Sequence, residues 1–266
     1  MRNIIEVYDL VKRFGDHTAV DSINFAVEAG EIFGLLGPNG AGKSTTIKML
    51  TTQLPPTAGR AQITGFDVFK QPTAVRRLIG YVPQAISADG SLTGFENLLV
   101  FARLYDVPRA EQQPRVRDAL AFMGLQEAGG RLVRTYSGGM IRRLEVAQAV
   151  LHRPQVLFLD EPTVGLDPVA RKAVWEHLSQ LRERYNMTML ITTHYMEEAD
   201  SLCQRVAIMH LGKIMAMGSP EELKDSVGGE ETTLDDVFTH YTGNTLETGG
   251  SFRDTARTRR AARRLA

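Results

Sequence analysis

Residues 37–45 read Gly37-Pro38-Asn39-Gly40-Ala41-Gly42-Lys43-Ser44-Thr45, which fits G-x-x-x-x-G-K-[ST]. Glycines at these positions let backbone N–H groups wrap the β- and γ-phosphates of a nucleotide. Lys43 adds a point charge, and the hydroxyl of Ser44 is a ligand for Mg²⁺. A second group follows at 156–161, where V-L-F-L runs into Asp160 and Glu161. An acid closing an apolar strand lies at the carboxyl end of that strand, where ligands of open α/β sheets bind. There Asp160 suits a Mg²⁺ ion held through water, and Glu161 suits an attacking water that must be oriented or deprotonated. A third group, Ser137-Gly138-Gly139, heads the pattern IRRLEVAQAVL. Glycine is about 1 kcal/mol worse than alanine inside a helix. Two of them in a first turn suit close approach of an anion to free N–H groups at the positive dipole end. The chain thus carries two phosphate-binding elements about 95 residues apart.

The elements that must hold these groups follow from the hydrophobic pattern. IIEVY (4–8) and INFAV (23–27) have period-two character, as half-buried antiparallel strands do. EIFGLL (31–36), VLFL (156–159) and MLITT (189–193) are short apolar runs and predict central strands covered on both faces. VAIM (206–209) and KIMAM (213–217) predict a hairpin through His210, Leu211 and Gly212. TTIKML (45–50) predicts the helix after the phosphate loop, and Val174, Leu178, Leu181 and Tyr185 form one helical stripe. T-G-F-E (93–96) and S-P-E-E (219–222) are capping boxes. Strands stop between about 85 and 150, and Val116, Leu120 and Met123 mark a helix there. The expectation is an α/β fold: a P-loop NTPase core, with a mixed sheet and an antiparallel β part, carrying a helical subdomain. The expected division is 1–225 for this unit, with the helical part at about 85–150 inserted. A segment 226–243 and a basic tail 244–266 follow.

Composition narrows the function. The 266 residues carry 31 bases and 31 acids, but six Arg and one Asp fall in the last 15 residues. The remainder holds 25 bases and 30 acids, and a mildly acidic body argues against a nucleic-acid partner. The single Cys203 excludes an intrachain disulfide. The start, MRNIIEVYDL, lacks the apolar stretch of a signal peptide, and no apolar run approaches 18 residues. On a helix, Arg253, Arg257, Arg260 and Arg264 would share one stripe without an opposing apolar face. A solvated tail and contact with anionic lipid are both open readings of it.

Taken in order, GPNGAGKST, Gln84 in YVPQ, YSGGM, VLFLDEP, VGLDP and His194 in TTHY resemble the motif set of the ATP-binding cassette (ABC) ATPases, spanning roughly residues 4 to 218. The phrases RTYSGGMIRRLEVA, LFLDEPTVGLDP and ITTHYMEEAD are closer to the daunorubicin/doxorubicin-resistance type, the ATPase subunits of ABC-2 exporters. LDDVFTHYTG (234–243) resembles that group's C-terminal signature. The resemblance implies an ATPase that uses ATP and Mg²⁺, with two chains, identical or similar, sandwiching two ATP molecules head to tail. Each site would join the phosphate loop of one chain to Ser137, Gly138 and Gly139 of the other, which accounts for two phosphate-binding elements in one chain.

It also implies roles for the remaining residues. Gln84 would touch Mg²⁺ or the attacking water, and His194 would hydrogen-bond the γ-phosphate. Asp167 would reach across the dimer, although a helix cap with Pro168 at the first helical position is an equal reading, and both can hold. Phe14 sits where the family stacks an aromatic on adenine; a plain core position is its rival, and Tyr8 is a weaker stacker. Transport would need separate transmembrane permease subunits docked on the helical stretch 85–135, with the chain peripheral on the cytoplasmic face of the membrane. Segment 234–243 would help dimerise, fix the membrane partner, or simply pack on the core. Antibiotic resistance is the activity suggested by the subgroup. The alternative, a non-transport cassette working on the ribosome or DNA, fits poorly with one motif set and an acidic body. The chain departs from the commonest family signature at Met140, where Gln would complete a capping box with Ser137; Met is usual in the drug-resistance subgroup. Met140→Gln is therefore expected to keep ATPase activity and to stabilise the helix slightly, as read by steady-state turnover and thermal melting; a total loss of turnover would contradict this reading of the position.

Overall fold

The computed structural model describes residues 2–228 and 231–243. The chain starts with a long antiparallel hairpin, β1 (Asn3–Phe14) and β2 (His17–Glu28), and then enters the central strand β3 (Ile32–Leu36). Helix α1 (Lys43–Leu50) follows the phosphate loop. Next come β4 (Ala58–Ile63), β5 (Phe66–Asp67), α2 (Pro72–Leu78) and β6 (Ile79–Val82). Helices α3 (Gly94–Leu104), α4 (Arg109–Phe122) and α5 (Gly138–Val150) fill the stretch where the sequence loses its strand pattern. The core resumes with β7 (Val156–Asp160), α6 (Pro168–Tyr185), β8 (Thr188–Thr193), α7 (Met196–Leu202) and the hairpin β9 (Arg205–His210) and β10 (Lys213–Gly218). Two short helices, α8 (Pro220–Val227) and α9 (Leu234–Thr242), come last.

Two sheets result. One is antiparallel, in the order β2-β1-β4-β5; the other is mixed, in the order β10-β9-β3-β8-β7-β6. Within the mixed sheet β9, β3, β8, β7 and β6 are parallel, and β10 pairs antiparallel to β9. All residues of β3, β7 and β8 are buried, as their unbroken apolar runs require. Their side chains divide by the period of two. Phe33, Leu35, Phe158 and Leu190 face the antiparallel sheet with Ile5, Val27 and Ile63. Ile32, Leu36, Leu157, Leu159 and Ile191 face the helices. Phe25 of β2 stacks on Phe33 of β3 with centroids 5.4 Å apart and planes 5° from parallel, pinning the two sheets together. Each such fully buried aromatic or aliphatic side chain contributes about 1.5–3 kcal/mol.

On the helical side, Leu98, Val116 and Leu144 belong to the same apolar cluster as Val82 and Leu157, so the helical stretch shares its core with the sheet. Close backbone packing there explains Gly80 in β6: a Cβ would lie 2.2 Å from the carbonyl oxygen of Ala149 in α5. Thr93 and Ser219 form the two capping boxes as expected. The β9–β10 turn is tighter than the sequence suggests. His210 stays paired with Lys213, and only Leu211 and Gly212, both at positive φ, make the turn. Tyr185 also departs from expectation: Val174, Leu178 and Leu181 of its stripe are buried, but Tyr185 ends the helix 54% exposed, its ring edge on Phe122. Helix α1 begins at Lys43, two residues before the predicted start, because the loop glycine Gly42 already serves as its cap.

The segment after α8 is not an appendage. A capping box of Thr233 and Asp236 starts α9, and Leu234, Val237 and Phe238 are buried in the cluster that also holds Met196, Ala199 and Leu202 of α7. The basic tail lies outside the described residues. Among those described, no helix is long and apolar enough to cross a membrane. Phe238→Ala should destabilise the fold by about 3–5 kcal/mol, the cost of emptying a fully buried aromatic site. A lowered urea midpoint at unchanged slope is the expected reading.

Candidate active site

The parallel register brings four loops to one edge of the mixed sheet. Leu36 pairs with Thr193, Asp160 with Thr192, and Val82 with Leu159. The residues just beyond these pairs are Gly37, His194, Glu161 and, two further on, Gln84, so the strand ends converge at one place. Gly37 N donates to Thr193 O at 3.2 Å, tying the phosphate loop to the His194 segment. Gly37 tolerates no side chain, since a Cβ would sit 2.2 Å from the carbonyl oxygen of Met209. Gly42 adopts φ 105° beside the backbone of Ala19, a conformation that L residues avoid. Helix α1 then starts without a side-chain cap and without an acid in its first turn. Its leading N–H groups are left for an anion.

Glu161 is the hub of the site. Its Oε1 lies 3.2 Å from Lys43 Nζ and 3.4 Å from His194 Nδ1. Its Oε2 accepts from Gln84 Nε2 at 3.0 Å. Lys43 also donates to the carbonyls of Gly37 (2.8 Å) and Pro38 (3.1 Å). Lys43 and Glu161 are each only 4% exposed. Burial pulls the Lys43 ammonium below the usual lysine range, against the opposing pull of the Glu161 and Asp160 charges. Burial would push the Glu161 carboxyl up, but the contact with His194 and the charge of Lys43 outweigh it and hold Glu161 below the usual carboxylate range. The site therefore favours Glu161 as an anion, the form a base requires. Glu161 also adopts φ 48°, a left-handed conformation uncommon for a non-glycine residue. Its backbone N–H is held there by the carbonyl and hydroxyl of Thr192 at 3.1 and 3.0 Å.

Asp160 is buried beside it. Its Oδ1 accepts from Ser44 Oγ at 2.9 Å and from Thr192 Oγ1 at 2.6 Å. A hydroxyl and a carboxylate at this separation form an all-oxygen donor set, which fits Mg²⁺. Among the described residues no group of three or more His, Cys, Asp or Glu side chains could cage a metal alone. The fit is thus to an ion that completes its shell with water and substrate phosphates.

The second phosphate-binding element sits apart. Ser137 caps α5, its Oγ accepting from Met140 N at 3.3 Å, and Met140 returns no bond. A Cβ on Gly138 would meet only the Leu166 side chain within 4 Å, and one on Gly139 only Ala170, at 2.8 Å. The helix head therefore packs on the start of α6 and not on the phosphate loop of its own chain. Gly139 has a steric reason within the chain, which leaves the more open Gly138 for approach from outside. Asp167 caps α6 by accepting from the N–H groups of Val169 (3.0 Å) and Ala170 (2.9 Å), and is exposed. Phe14 is 49% exposed at the end of β1, so the core reading fails; Lys12 Nζ lies 5.0 Å from its ring centroid. Tyr8, also in β1, lies under Arg60 of the neighbouring strand β4.

Several residues of the site escape motif reading. Thr192 bonds both Asp160 and the Glu161 backbone; the only hint was a polar residue inside an apolar strand. Arg142 donates to the carbonyls of Pro83 (2.7 Å) and Gln84 (3.1 Å), and its neighbour Glu145 accepts from Ser87, so α5 grips the Gln84 loop. These ties cross 58 or more residues, beyond any local pattern.

Comparison with known proteins agrees with this geometry. The family model described as ABC transporter matches residues 20–164. The daunorubicin/doxorubicin resistance ATP-binding protein DrrA of Streptomyces peucetius is 46% identical over 230 residues, covering 86% of this chain and 69% of that protein. The linearmycin resistance ATP-binding protein LnrL of Bacillus subtilis is 39% identical over 227 residues, 85% of this chain and 73% of that protein. A solved structure of an ATP binding subunit of an ABC transporter superposes with TM-score 0.79 at 29% identity, covering 90% of this chain and 99% of that one. A nucleotide loop and a carboxylate hub at the carboxyl edge of this sheet, matched over most of the chain by such relatives, mean that the chain belongs to the ABC transporter family of ATP-binding, ATP-hydrolysing subunits.

Proposed function

We propose that this chain powers an ABC-2 type exporter, pairing head to tail with a second copy or a similar ATPase around two ATP molecules and driving separate permease subunits from the cytoplasmic face of the membrane. The observation that carries the dimer is the separation of the two phosphate-binding elements: within 4 Å of where their side chains would start, Gly138 and Gly139 meet only Leu166 and Ala170, both outside the loop 37–45. Each chain then offers two half-sites. The drug-resistance names of the similar proteins support a drug or antibiotic as cargo. The exposed Ile86 and Leu104, near the Gln84 loop and at the end of α3, support the helical stretch as the docking face. The unit 1–225 with its inserted helical part 85–150 would do this work, with 226–243 as a C-terminal brace and 244–266 as a tail.

In this reading the loop from Gly37 to Thr45 wraps the phosphates, and Phe14 stacks on the adenine. Lys43 turns from the carbonyls of its own loop to the β/γ oxygens. Ser44, Asp160 and Gln84 would hold Mg²⁺, which when bound neutralises charge on those oxygens. Glu161 orients and deprotonates the attacking water, and His194 donates to the γ-phosphate. Ser137, Gly138 and Gly139 of the opposing chain complete the charge shell, with Asp167 reaching across. Catalysis here is mostly positioning and electrostatics. Because ATP touches both chains it closes the pair, and its hydrolysis removes those contacts.

Glu161→Gln is expected to bind MgATP, to accumulate as a dimer in size-exclusion chromatography, and to turn over about 100-fold more slowly or worse, in line with loss of a general base. Wild-type turnover, or a variant that stays monomeric in MgATP, would remove the proposed role. Thr192→Val deprives Asp160 and the Glu161 N–H of one partner each. It should cost about 1–3 kcal/mol in urea unfolding and lower kcat, whereas unchanged stability would show that the hydroxyl carries no load.

A further inference from the structure

Behind the site lies a carboxyl group that the proposed chemistry does not use. Glu198, in α7, is 1% exposed. Its Oε1 accepts from Thr163 Oγ1 at 2.8 Å and from Trp175 Nε1 at 2.9 Å. Its Oε2 is buried without a hydrogen-bond partner. The partners of Oε1 come from two places. Thr163 stands two residues after Glu161, and Trp175 lies in α6, the helix capped by Asp167; Glu198 itself stands four residues after His194. Helix α6 meets the His194 segment again at the surface of the site. The Arg171 guanidinium of α6 lies 4.3 Å from the Tyr195 ring centroid, and the Tyr195 ring is 4.3 Å from that of His194. A buried carboxyl with two donors from two other segments fixes their relative positions more tightly than apolar packing, because a shift leaves those buried donors unpaired.

We propose that Glu198 is a positioning residue for ATP hydrolysis: standing in α7 four residues after His194, it holds the Glu161 segment and the Asp167-capped helix against the His194 segment through Thr163 and Trp175. Glu161 has little freedom of its own: its backbone is in the left-handed region, and Pro162 separates it from Thr163. A slip of Thr163 therefore moves the carboxylate that must face the water. Burial also pushes the Glu198 carboxyl up, opposed by its hydrogen bonds and, less, by the Arg171 charge. A neutral amide of the same shape should accept the same bonds, which separates hydrogen bonding from charge as the working property.

The proposal rests on Glu161 and His194 acting on the γ-phosphate. The test is steady-state ATPase of the full chain with MgATP. Glu198→Ala is expected to lower kcat at least 10-fold while the KM for MgATP stays within threefold, and Glu198→Gln to stay within twofold of the unmodified chain. A role confined to stability would lower the melting temperature of Glu198→Ala and leave kcat unchanged below it; that result overturns the proposal. So does a Glu198→Gln variant that falls as far as Glu198→Ala. Should Glu198→Ala not fold, Thr163→Val removes one tie and leaves the carboxyl in place. It is expected to lower kcat about fivefold at unchanged KM, and an undiminished kcat in that variant counts equally against the proposal. Failure of the underlying reading is distinct, because it appears as wild-type turnover in Glu161→Gln whatever the Glu198 variants do.

Discussion

The buried contact between Lys43 and Glu161 sets the terms for the whole molecule. Removing either ion from water costs several kcal/mol even after relaxation, and either one left alone there would be strongly destabilising. They persist because each faces the other at 3.2 Å and because further polar groups share the load: the Gly37 and Pro38 carbonyls on the lysine, Gln84 and His194 on the carboxylate. Such a pair is weak evidence for stability and better understood as a device held in readiness. Triphosphate oxygens offer Lys43 the same kind of partner that Glu161 does. Binding can exchange one anion for another at the lysine and release Glu161 toward a water, with little net change in buried charge.

That exchange needs two groups from distant parts of the chain, 118 positions apart by their numbers, to meet. The sheet order achieves it. β3 carries the lysine loop and β7 the acid pair, and β8 lies between them, bonded to both. Thr192 of β8 touches Asp160 and the Glu161 backbone, while Thr193 O receives Gly37 N. β8 thus supplies His194 and also sets the spacing between the other two strand ends. The left-handed turn at Glu161 costs on the order of 1–3 kcal/mol, and the paired bonds from Thr192 offset it.

Much of this was legible in the residues. The central strands declared themselves as apolar runs, and the phosphate loop as a glycine spacing whose chemistry admits few other uses. The acid pair was readable only because a strand preceded it. Reading failed where contact depends on sequence-distant neighbours. Thr192, Thr163 and Glu198 have ordinary local contexts, and only the fold reveals that each bonds a partner 23 or more residues away. Tyr185 failed for a related reason: periodicity predicts which way a side chain points, but not where the facing surface ends. Phe14 was undecided between stacking platform and core because a hairpin end shows no alternation; its exposure decides against the core.

The glycines at the head of α5 show how one residue type answers two constraints. Gly139 is required by Ala170 of the same chain, so its presence alone says nothing about a ligand. The close approach it permits, however, seats α5 directly on the start of α6, and α6 is bound through Trp175 and Arg171 to α7 and Tyr195, next to His194. On its other side α5 holds the Gln84 loop through Arg142 and Glu145. The helix that would meet a neighbour's nucleotide is therefore braced against both residues that would sense the chain's own. In the proposed dimer, a shift of Gln84 or His194 on loss of a γ-phosphate would be passed on to Ser137, because close-packed interiors transmit displacement. On that reading, coupling between two nucleotides would follow from ordinary packing, without a separate signalling element.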